Sequence, residues 1–180
     1  MPSEITLPDA KPALEWVNGR VLQKLSPKRK HAIAQARFVA ALDAWAQEGA
    51  RGIAGTEWRF RIEPPGEDRR PLVPDVAFLS YARLPFEIQQ VTDEPGVSPD
   101  AVVEVLSIGD RKSDVEEKIR VYLAAGTAVI FLVDTERRIV TIRDVHGERT
   151  IAEDGVLQHE ALPGFRLNVH DLFFVARPKN

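Results

Sequence analysis

The pattern of apolar and polar positions in the first half of the chain predicts a hairpin, a helix and two strands. "ALEWVNGRVLQKLSP" has two apolar runs around Asn18-Gly19, which is typical of a tight β-hairpin. "GIAGTEWRFRIEP" and "LVPDVAFLS" predict strands, and residues 81–99 are predicted to be irregular. The segment between the hairpin and these strands predicts a helix that ends at Gly49, with an apolar stripe formed by Ile33, Ala36, Phe38 or Ala40, Val39, Leu42 and Trp45.

The second half of the chain predicts a buried strand, a helix and a set of antiparallel strands. "DAVVEVLSIGD" is typical of a strand that is covered on both faces, because residues 101–107 are apolar or small except at Glu104. "AVIFLVDTERRIVTIRDVHGERTI" predicts a strand pair that turns at residues 134–137, followed by a second turn near His146-Gly147, and "LPGFRLNVHDLFF" predicts a strand that enters a short helix. The whole order predicts an α/β fold with a sheet of mixed direction.

The helix predicted between these strands is "SDVEEKIRVYLAAG". Its apolar stripe consists of Val115, Ile119, Tyr122 and Leu123, and Gly126 is a natural stop. Ser113 and Glu116 have the spacing of a capping box, in which each side chain would bind an unpaired amide of the first turn.

Composition and charge narrow the class of protein. With 44% hydrophobic and 28% charged residues, the 180-residue chain is expected to form one domain over residues 1–180, of which 1–12 are expected to be a flexible N-terminal segment. The absence of cysteine excludes disulfides and thiolate metal sites, so a metal ion would need oxygen ligands. The longest apolar run, residues 128–133, is too short to span a bilayer, and we expect a cytoplasmic protein. The net charge of −3 does not by itself indicate a nucleic-acid-binding protein.

Three polar residues occupy positions that stability alone does not explain. Glu104 interrupts an apolar strand, where an unpaired charge is costly, and Asp75 follows Pro74 at the start of another strand. Lys118 lies at the border of the apolar stripe of the following helix, from which its ammonium group can turn toward the preceding strand. Two carboxylates and a lysine suit phosphodiester hydrolysis with Mg²⁺ or Mn²⁺, because the carboxylates hold a hard cation and the lysine stabilises developing charge.

Each of these residues also has a purely structural interpretation. Asp75 is compatible with a turn or strand-entry aspartate. Glu104 is compatible with a buried ion pair to Lys118 or to an arginine. Lys118, with Asp114 one turn before it and Glu117 beside it, is compatible with a solvated helix face.

A basic run at the start of the first helix is a candidate for contact with nucleic acid. Lys28, Arg29 and Lys30 lie at the positive end of the helix dipole, which is unfavourable unless an anion is bound there. His31 follows them and is compatible with a site, a cap or a packed position. The structural interpretation of the run is a solvated helix start.

Several segments together resemble the Uma-two family of restriction-endonuclease-like proteins, within the PD-(D/E)XK nuclease superfamily. These segments are "VPDVAFLS", "VVEVLSIGDRKSDVEEKIRVYLAAG", "FLVDTERRIV" and "LPGFRLNVHDLF", and the likeness extends from about Leu14 to Phe173. The resemblance implies a mixed central sheet flanked by helices, with an N-terminal hairpin and a C-terminal strand meander. It also implies a motif Asp at Asp75, a motif Glu at Glu104, and a catalytic lysine that has moved to the helix at Lys118, since Leu106 occupies the superfamily's usual lysine position.

The function implied by the residues and the resemblance is a metal-dependent endonuclease that hydrolyses DNA. Asp75 and Glu104 would bind Mg²⁺ or Mn²⁺, Lys118 would stabilise charge, and Lys28, Arg29, Lys30 and His31 would contact the nucleic acid. A homodimer is compatible with this reaction, because two symmetric sites suit the two strands of a duplex. The alternative is an inactive nucleic-acid-binding or protein-interaction module on the same fold.

Overall fold

The computed structural model describes residues 2–179, which form twelve strands and four helices. The strands are β1 (Leu14–Val17), β2 (Arg20–Gln23), β3 (Gly52–Thr56), β4 (Phe60–Ile62), β5 (Arg70–Leu72), β6 (Val76–Ser80), β7 (Ala101–Leu106), β8 (Val129–Asp134), β9 (Ile139–Asp144), β10 (Gly147–Ile151), β11 (Val156–Leu157) and β12 (Leu167–Asn168). The helices are α1 (Arg29–Glu48), α2 (Phe86–Gln89), α3 (Lys112–Ala124) and α4 (Val169–Phe173). Within residues 2–179, no helix has the length and apolarity needed to cross a bilayer.

Six strands form the central sheet, in the order β10-β9-β8-β7-β6-β3. The neighbours β7 and β8 are parallel because α3 carries the chain back between them, and the other neighbouring pairs are antiparallel. The N-terminal hairpin β1–β2 forms a separate two-stranded sheet, and β8, β9 and β10 form a meander. The predicted mixed sheet with flanking helices, an N-terminal hairpin and a C-terminal meander is therefore confirmed.

Helices cover both faces of the central sheet, so β7 is buried on both sides as its sequence predicts. On one face, Val103 packs in a core that includes Phe38 and Leu42 of α1. On the other face, Val102 packs in a second core that includes Ile119 of α3. Because side chains alternate along a strand, Glu104 points to the same face as Val102 and therefore toward α3.

The N-terminal hairpin lies over the α3 face and is held there by polar contacts. Asn18 and Gly19 both have positive φ angles, 51° and 70°, which a two-residue turn of this kind requires. Asp114 in the first turn of α3 accepts hydrogen bonds from Asn18 Nδ2 at 2.8 Å and from Arg20 Nη2 at 2.7 Å. The hairpin is thus fixed against α3, and the inward side of β1 faces the end of β7.

Local predictions differ from the structure in four places, and the first is that "GIAGTEWRFRIEP" forms two strands, β3 and β4, which lie in different sheets. The capping box is wrong, because Arg111 is the N-cap of α3 and forms no side-chain cap hydrogen bond, so Ser113 already lies inside the helix. Residues 81–99 are not irregular throughout, since they contain α2. The segment "LVPDVAFLS" is not one strand: β5 ends before Pro74, and β6 begins after it in a different sheet.

The buried face of α1 is also rotated slightly from the predicted stripe. Phe38, Leu42 and Trp45 are buried as expected. Ala34 and Gln35 are buried in place of Ile33 and Ala36. The polar Gln35 is accommodated because its Nε2 donates a hydrogen bond of 2.8 Å to the main-chain carbonyl of Asp75.

Candidate active site

Asp75, directly before β6, stands opposite Glu104, which lies within the neighbouring strand β7. When the register of β6 and β7 is continued by one position, Asp75 is paired with Glu104. Both side chains point to the α3 face, because Ala77 and Val102, two residues away along each strand, belong to the core on that face. Like charges that are directly opposite on a sheet repel each other, so this pair must be compensated by its surroundings.

Every oxygen of the Asp75 carboxylate has a partner. Oδ1 accepts a hydrogen bond from Lys24 Nζ at 2.7 Å and lies 3.5 Å from His31 Nε2. Oδ2 accepts a hydrogen bond from the main-chain N–H of Val105 at 2.7 Å. Burial by itself would raise the pKa of Asp75, but the hydrogen bond from His31 and the charge of Lys24 hold that pKa well below its usual range. Asp75 is therefore ionised at neutral pH.

Lys118 lies between two buried glutamates. Its Nζ is 2.6 Å from Glu104 Oε1 and 3.0 Å from Glu15 Oε1. Burial would lower the pKa of Lys118, but the charges of Glu104 and Glu15 raise it above its usual value, so Lys118 is a cation. The structural interpretation of Lys118 as a solvated residue is wrong, whereas the ion pair considered for Glu104 is present.

Glu104 has less compensation than Asp75. Its Oε1 is buried and, in the part of the chain that the structure describes, forms no hydrogen bond of normal geometry, so its contact with Lys118 is an ion pair only. Burial raises the pKa of Glu104 to about 8; the ammonium of Lys118 opposes this shift, and the carboxylate of Asp75 adds to it. The site as it stands therefore disfavours the ionised form of Glu104.

Sequence reasoning missed two residues of the site, Glu15 and Lys24. Glu15 lies on β1 and points inward together with Val17, and its Oε1 accepts a hydrogen bond of 2.8 Å from the main-chain N–H of Val73. The signal that could have found Glu15 is its place two residues before Val17, on the same side of a strand whose other side is only half-buried. Lys24 follows β2 in a turn-like segment, and nothing in its local pattern indicates that it reaches Asp75.

These side chains share one cavity. It has a volume of about 470 Å³ and is lined by, among others, Glu15, Lys24, His31, Asp75, Glu104 and Lys118. Three carboxyl groups thus face two ammonium groups, so the charges balance while Glu104 is protonated and one negative charge is in excess once Glu104 ionises. A cavity of this kind can bind a cation and can hold a phosphate against Lys118 once that excess is neutralised.

The basic residues at the start of α1 and the histidine that follows them lie in two different environments. Lys28, Arg29 and Lys30 are exposed, and Lys30 Nζ forms an ion pair of 2.8 Å with Glu136 Oε2. His31 instead turns into the cavity, where its Nδ1 lies 3.3 Å from Ser107 Oγ. The structure therefore brings His31, but not the three preceding cations, to Asp75 and Glu104.

The residues present fit a divalent cation with oxygen ligands. Among residues 2–179, no group of three or more His, Cys, Asp or Glu side chains is arranged to hold a metal ion. Mg²⁺, however, is usually held by one or two carboxylates together with water and substrate phosphates. Oε1 of Glu104 is buried in an ion pair with Lys118, and burial raises the pKa of this group, so an added cation would favour its ionised form.

The raised pKa of Glu104 predicts an unusual dependence of stability on pH. The folded protein holds the Glu104 proton up to about pH 8, whereas an unfolded chain releases it near 4.5. The unfolding free energy should therefore fall as the pH rises from 4.5 to about 8, because the folded state binds more protons in this window. Asp75 adds little to this pH dependence. Its carboxylate is already largely ionised above pH 4.5, in the unfolded chain because its ordinary pKa is 3.8 and in the folded protein because that pKa is lowered further. Urea unfolding in metal-free buffers across this range measures the effect.

Glu104→Gln provides the control for this pH dependence. The glutamine cannot titrate, so the decline between pH 4.5 and about 8 should be reduced relative to the wild type. A wild-type decline that persists unchanged in Glu104→Gln would assign the pH dependence to another group.

Comparison with known proteins gives a matching family and several similar solved structures. The model of the Uma2 (Uma-two) family, which is described as "Putative restriction endonuclease", matches residues 4–170. A crystal structure described as "a putative nuclease belonging to DUF820" from Anabaena variabilis ATCC 29413 is similar, with 24% sequence identity, 93% of each chain covered and a TM-score of 0.82. The structural likeness shows the fold alone at this identity. No curated protein matches the chain.

Proposed function

This chain belongs to the Uma2 family, with the match over residues 4–170, and on that premise we propose that it is a divalent-metal-dependent endonuclease that hydrolyses DNA. One observation carries the proposal. Lys118, which comes from the helix after β7, places its Nζ 2.6 Å from Glu104 Oε1, in the cavity that Asp75 also lines. This is the convergence of two carboxylates and a lysine that phosphodiester hydrolysis with a metal ion uses.

The two carboxyl groups share the task of holding the metal but differ in protonation before the metal binds. Asp75 and Glu104 would hold Mg²⁺ or Mn²⁺, and a bound metal of this kind lowers the pKa of water and screens the phosphate. Asp75 is ionised in advance because the hydrogen bond from His31 and the charge of Lys24 stabilise its carboxylate. Glu104 would ionise fully only when a cation is added, since its pKa of about 8 lies above that of an ordinary glutamate.

Lys118 would stabilise the negative charge that develops on the phosphate. Its ammonium group is held by two ion pairs, to Glu104 and Glu15, and is therefore oriented before the substrate arrives. Glu15 acts through Lys118 and is a positioning residue in this scheme. Its own orientation is fixed by the amide of Val73, which ties the hairpin to the sheet.

Cleavage of supercoiled plasmid DNA tests the proposal. The wild type should nick or linearise the plasmid with Mg²⁺ or Mn²⁺, and should not do so with EDTA. Linear product without a build-up of nicked circles would support a homodimer, because paired sites cut both strands in one encounter. A lack of cleavage of either DNA or RNA with any divalent metal would contradict the nuclease.

A binding module without turnover is the second candidate. The observation that favours it is that each carboxylate already has an ammonium partner, Lys24 on Asp75 and Lys118 on Glu104. Such a module would bind nucleic acid or protein in EDTA as well as in Mg²⁺, so binding measured in both buffers separates the two candidates.

The exposed basic run is predicted to contribute to DNA binding but not to chemistry. Changing Lys28, Arg29 and Lys30 together to Gln should weaken DNA binding and flatten its salt dependence, because fewer counterions are released. In a plot of log affinity against log salt concentration, the slope should fall by about two released counterions rather than three, because Lys30 already forms an ion pair with Glu136. Titration of a labelled duplex at several salt concentrations measures this, and an unchanged slope would assign the run to solvated surface.

A further inference from the structure

The ammonium group of Lys24 is built into the candidate active site. Its Nζ lies 2.7 Å from Asp75 Oδ1 and donates a second hydrogen bond of 2.7 Å to the main-chain carbonyl of Val73. The Lys24 side chain is only 10% exposed, and burial would lower its pKa, yet the charge of Asp75 raises that pKa above the usual value. Lys24 is therefore a buried cation in direct contact with a residue that the proposed function assigns to the metal.

We propose that Lys24 is a built-in competitor of the divalent metal at Asp75. This inference rests on the proposed function, in which Asp75 and Glu104 hold the metal. In the absence of metal, Lys24 compensates Asp75 and keeps the site folded. When a metal ion binds, Lys24 has to withdraw from Asp75 Oδ1, so the measured metal affinity is the intrinsic affinity reduced by the free energy of breaking this ion pair.

The geometry of Asp75 leads to this competition. Oδ2 is occupied by the amide of Val105, which belongs to the sheet and does not move away. Oδ1 is the oxygen of Asp75 that has no main-chain partner, and a metal ion held there would compete with the ammonium group of Lys24. An ammonium group 2.7 Å from the same oxygen would then lie within strong repulsion of a doubly charged ion. The two cations exclude each other at Oδ1.

Besides Asp75 and the Val73 carbonyl, Lys24 has a third acceptor nearby, the carboxylate of Glu57. Its Nζ is 3.4 Å from Glu57, whose side chain is 45% exposed. Lys24, Glu57 and Asp75 also line a second cavity, of about 1060 Å³, whose lining does not include Glu104. This cavity gives the Lys24 side chain space into which to withdraw from Asp75.

Metal titration of Lys24 variants tests the inference. Lys24→Met and Lys24→Gln should bind Mn²⁺ about tenfold or more tightly than the wild type in calorimetry, because the competitor is gone. The metal-free variants should melt at a lower temperature than the wild type, since Asp75 has lost its counter-ion. Lys24→Arg keeps a cation on Asp75 and should retain the weaker affinity.

Lys11→Met is the matched control for charge. Lys11 is exposed and lines the second cavity, so its removal changes the net charge equally without touching Asp75. Equal Mn²⁺ affinity in the wild type, Lys11→Met and Lys24→Met would overturn the competition and leave the proposed metal site standing. If none of these proteins binds Mn²⁺, the metal-dependent function fails and this inference fails with it.

A measurement on the wild type covers the case in which the Lys24 variants do not fold. The ammonium groups of Lys24 and Lys118 are buried, so their protons should be visible in ¹H–¹⁵N correlation spectra of the lysine Nζ groups. Saturation with diamagnetic Mg²⁺ should shift or broaden the Lys24 signal beyond detection, because the group leaves Asp75 for solvent. A Lys24 signal that stays in place while Mg²⁺ binds would overturn the inference.

Discussion

Replacing Lys118 with alanine is expected to lower the rate of DNA cleavage on the order of 10²-fold or more, with little change in DNA affinity. The reason is that an oriented ammonium group acts mainly on the charge of the transition state. Lys118→Arg should recover only part of the rate, because a planar guanidinium does not fit the space between Glu15 and Glu104 in the same way. Single-turnover cleavage of plasmid DNA with Mn²⁺ measures the effect.

The experiment must separate the effect of Lys118 on the cleavage rate from its effect on stability, because the Lys118 ammonium group also contacts two buried carboxyl groups. Lys118→Ala leaves Glu15 and Glu104 without their cation, so its melting temperature should fall. Rates should therefore be compared well below the melting temperature of the least stable variant. Arg120→Ala is the control on the same helix, since Arg120 is exposed and binds only Glu67 and Glu117.

An equally active Lys118→Ala variant would show that another cation acts on the phosphate. Arg111 and Lys112 would then be the next residues to change, because both are exposed at the start of α3 and Arg111 lines the active-site cavity. The assignment of the lysine to the helix would be wrong in that case.

Glu104→Gln is expected to abolish both cleavage and stabilisation by metal. Wild-type protein with Mg²⁺ or Mn²⁺ at about 100 times the dissociation constant should gain about 2.7 kcal/mol of unfolding free energy. The variant should gain almost nothing, because one of the two metal-binding carboxylates is gone. Thermal unfolding with and without metal measures the difference.

The metal-free Glu104→Gln variant should be as stable as the wild type or more so. At neutral pH the wild-type Glu104 is largely protonated, since its pKa is about 8, and glutamine is neutral and of the same shape. The variant also lacks the repulsion that Asp75 exerts on the minor, ionised fraction of Glu104. If the variant unfolds readily instead, Glu104 is a structural partner of Lys118. Glu136→Gln, an exposed carboxylate change, should leave the metal effect intact.

Elements with strong local signals were predictable from the sequence. The turn of the hairpin is recognisable because Asn18 and Gly19 tolerate the positive φ angles that it requires. The helix after Pro27 ends at Gly49 as expected, and β7 is buried on both faces as its apolar run indicates. The capping box was wrong because α3 begins at Lys112 with Arg111 as its N-cap, so Ser113 already lies inside the helix.

The candidate site was only partly predictable. Glu104 was recognisable because a carboxylate within an apolar strand contradicts its surroundings, and Lys118 because it borders an apolar stripe one helix later. Glu15 and Lys24 carry no such contradiction. Glu15 is 103 positions from Lys118, and Lys24 is 51 positions from Asp75, so neither contact leaves a trace in local periodicity.

The sequence by itself determined most of the elements of this protein and the kind of chemistry that Asp75, Glu104 and Lys118 allow, because alternation and helical spacing are properties of short segments. The tertiary structure alone decided how the charges are paired. The register of β6 and β7 sets Asp75 opposite Glu104, and the hairpin then adds Glu15 and Lys24 to the same cavity. Electrostatic energy depends on distance in space and on burial, and both arise only when distant segments pack together.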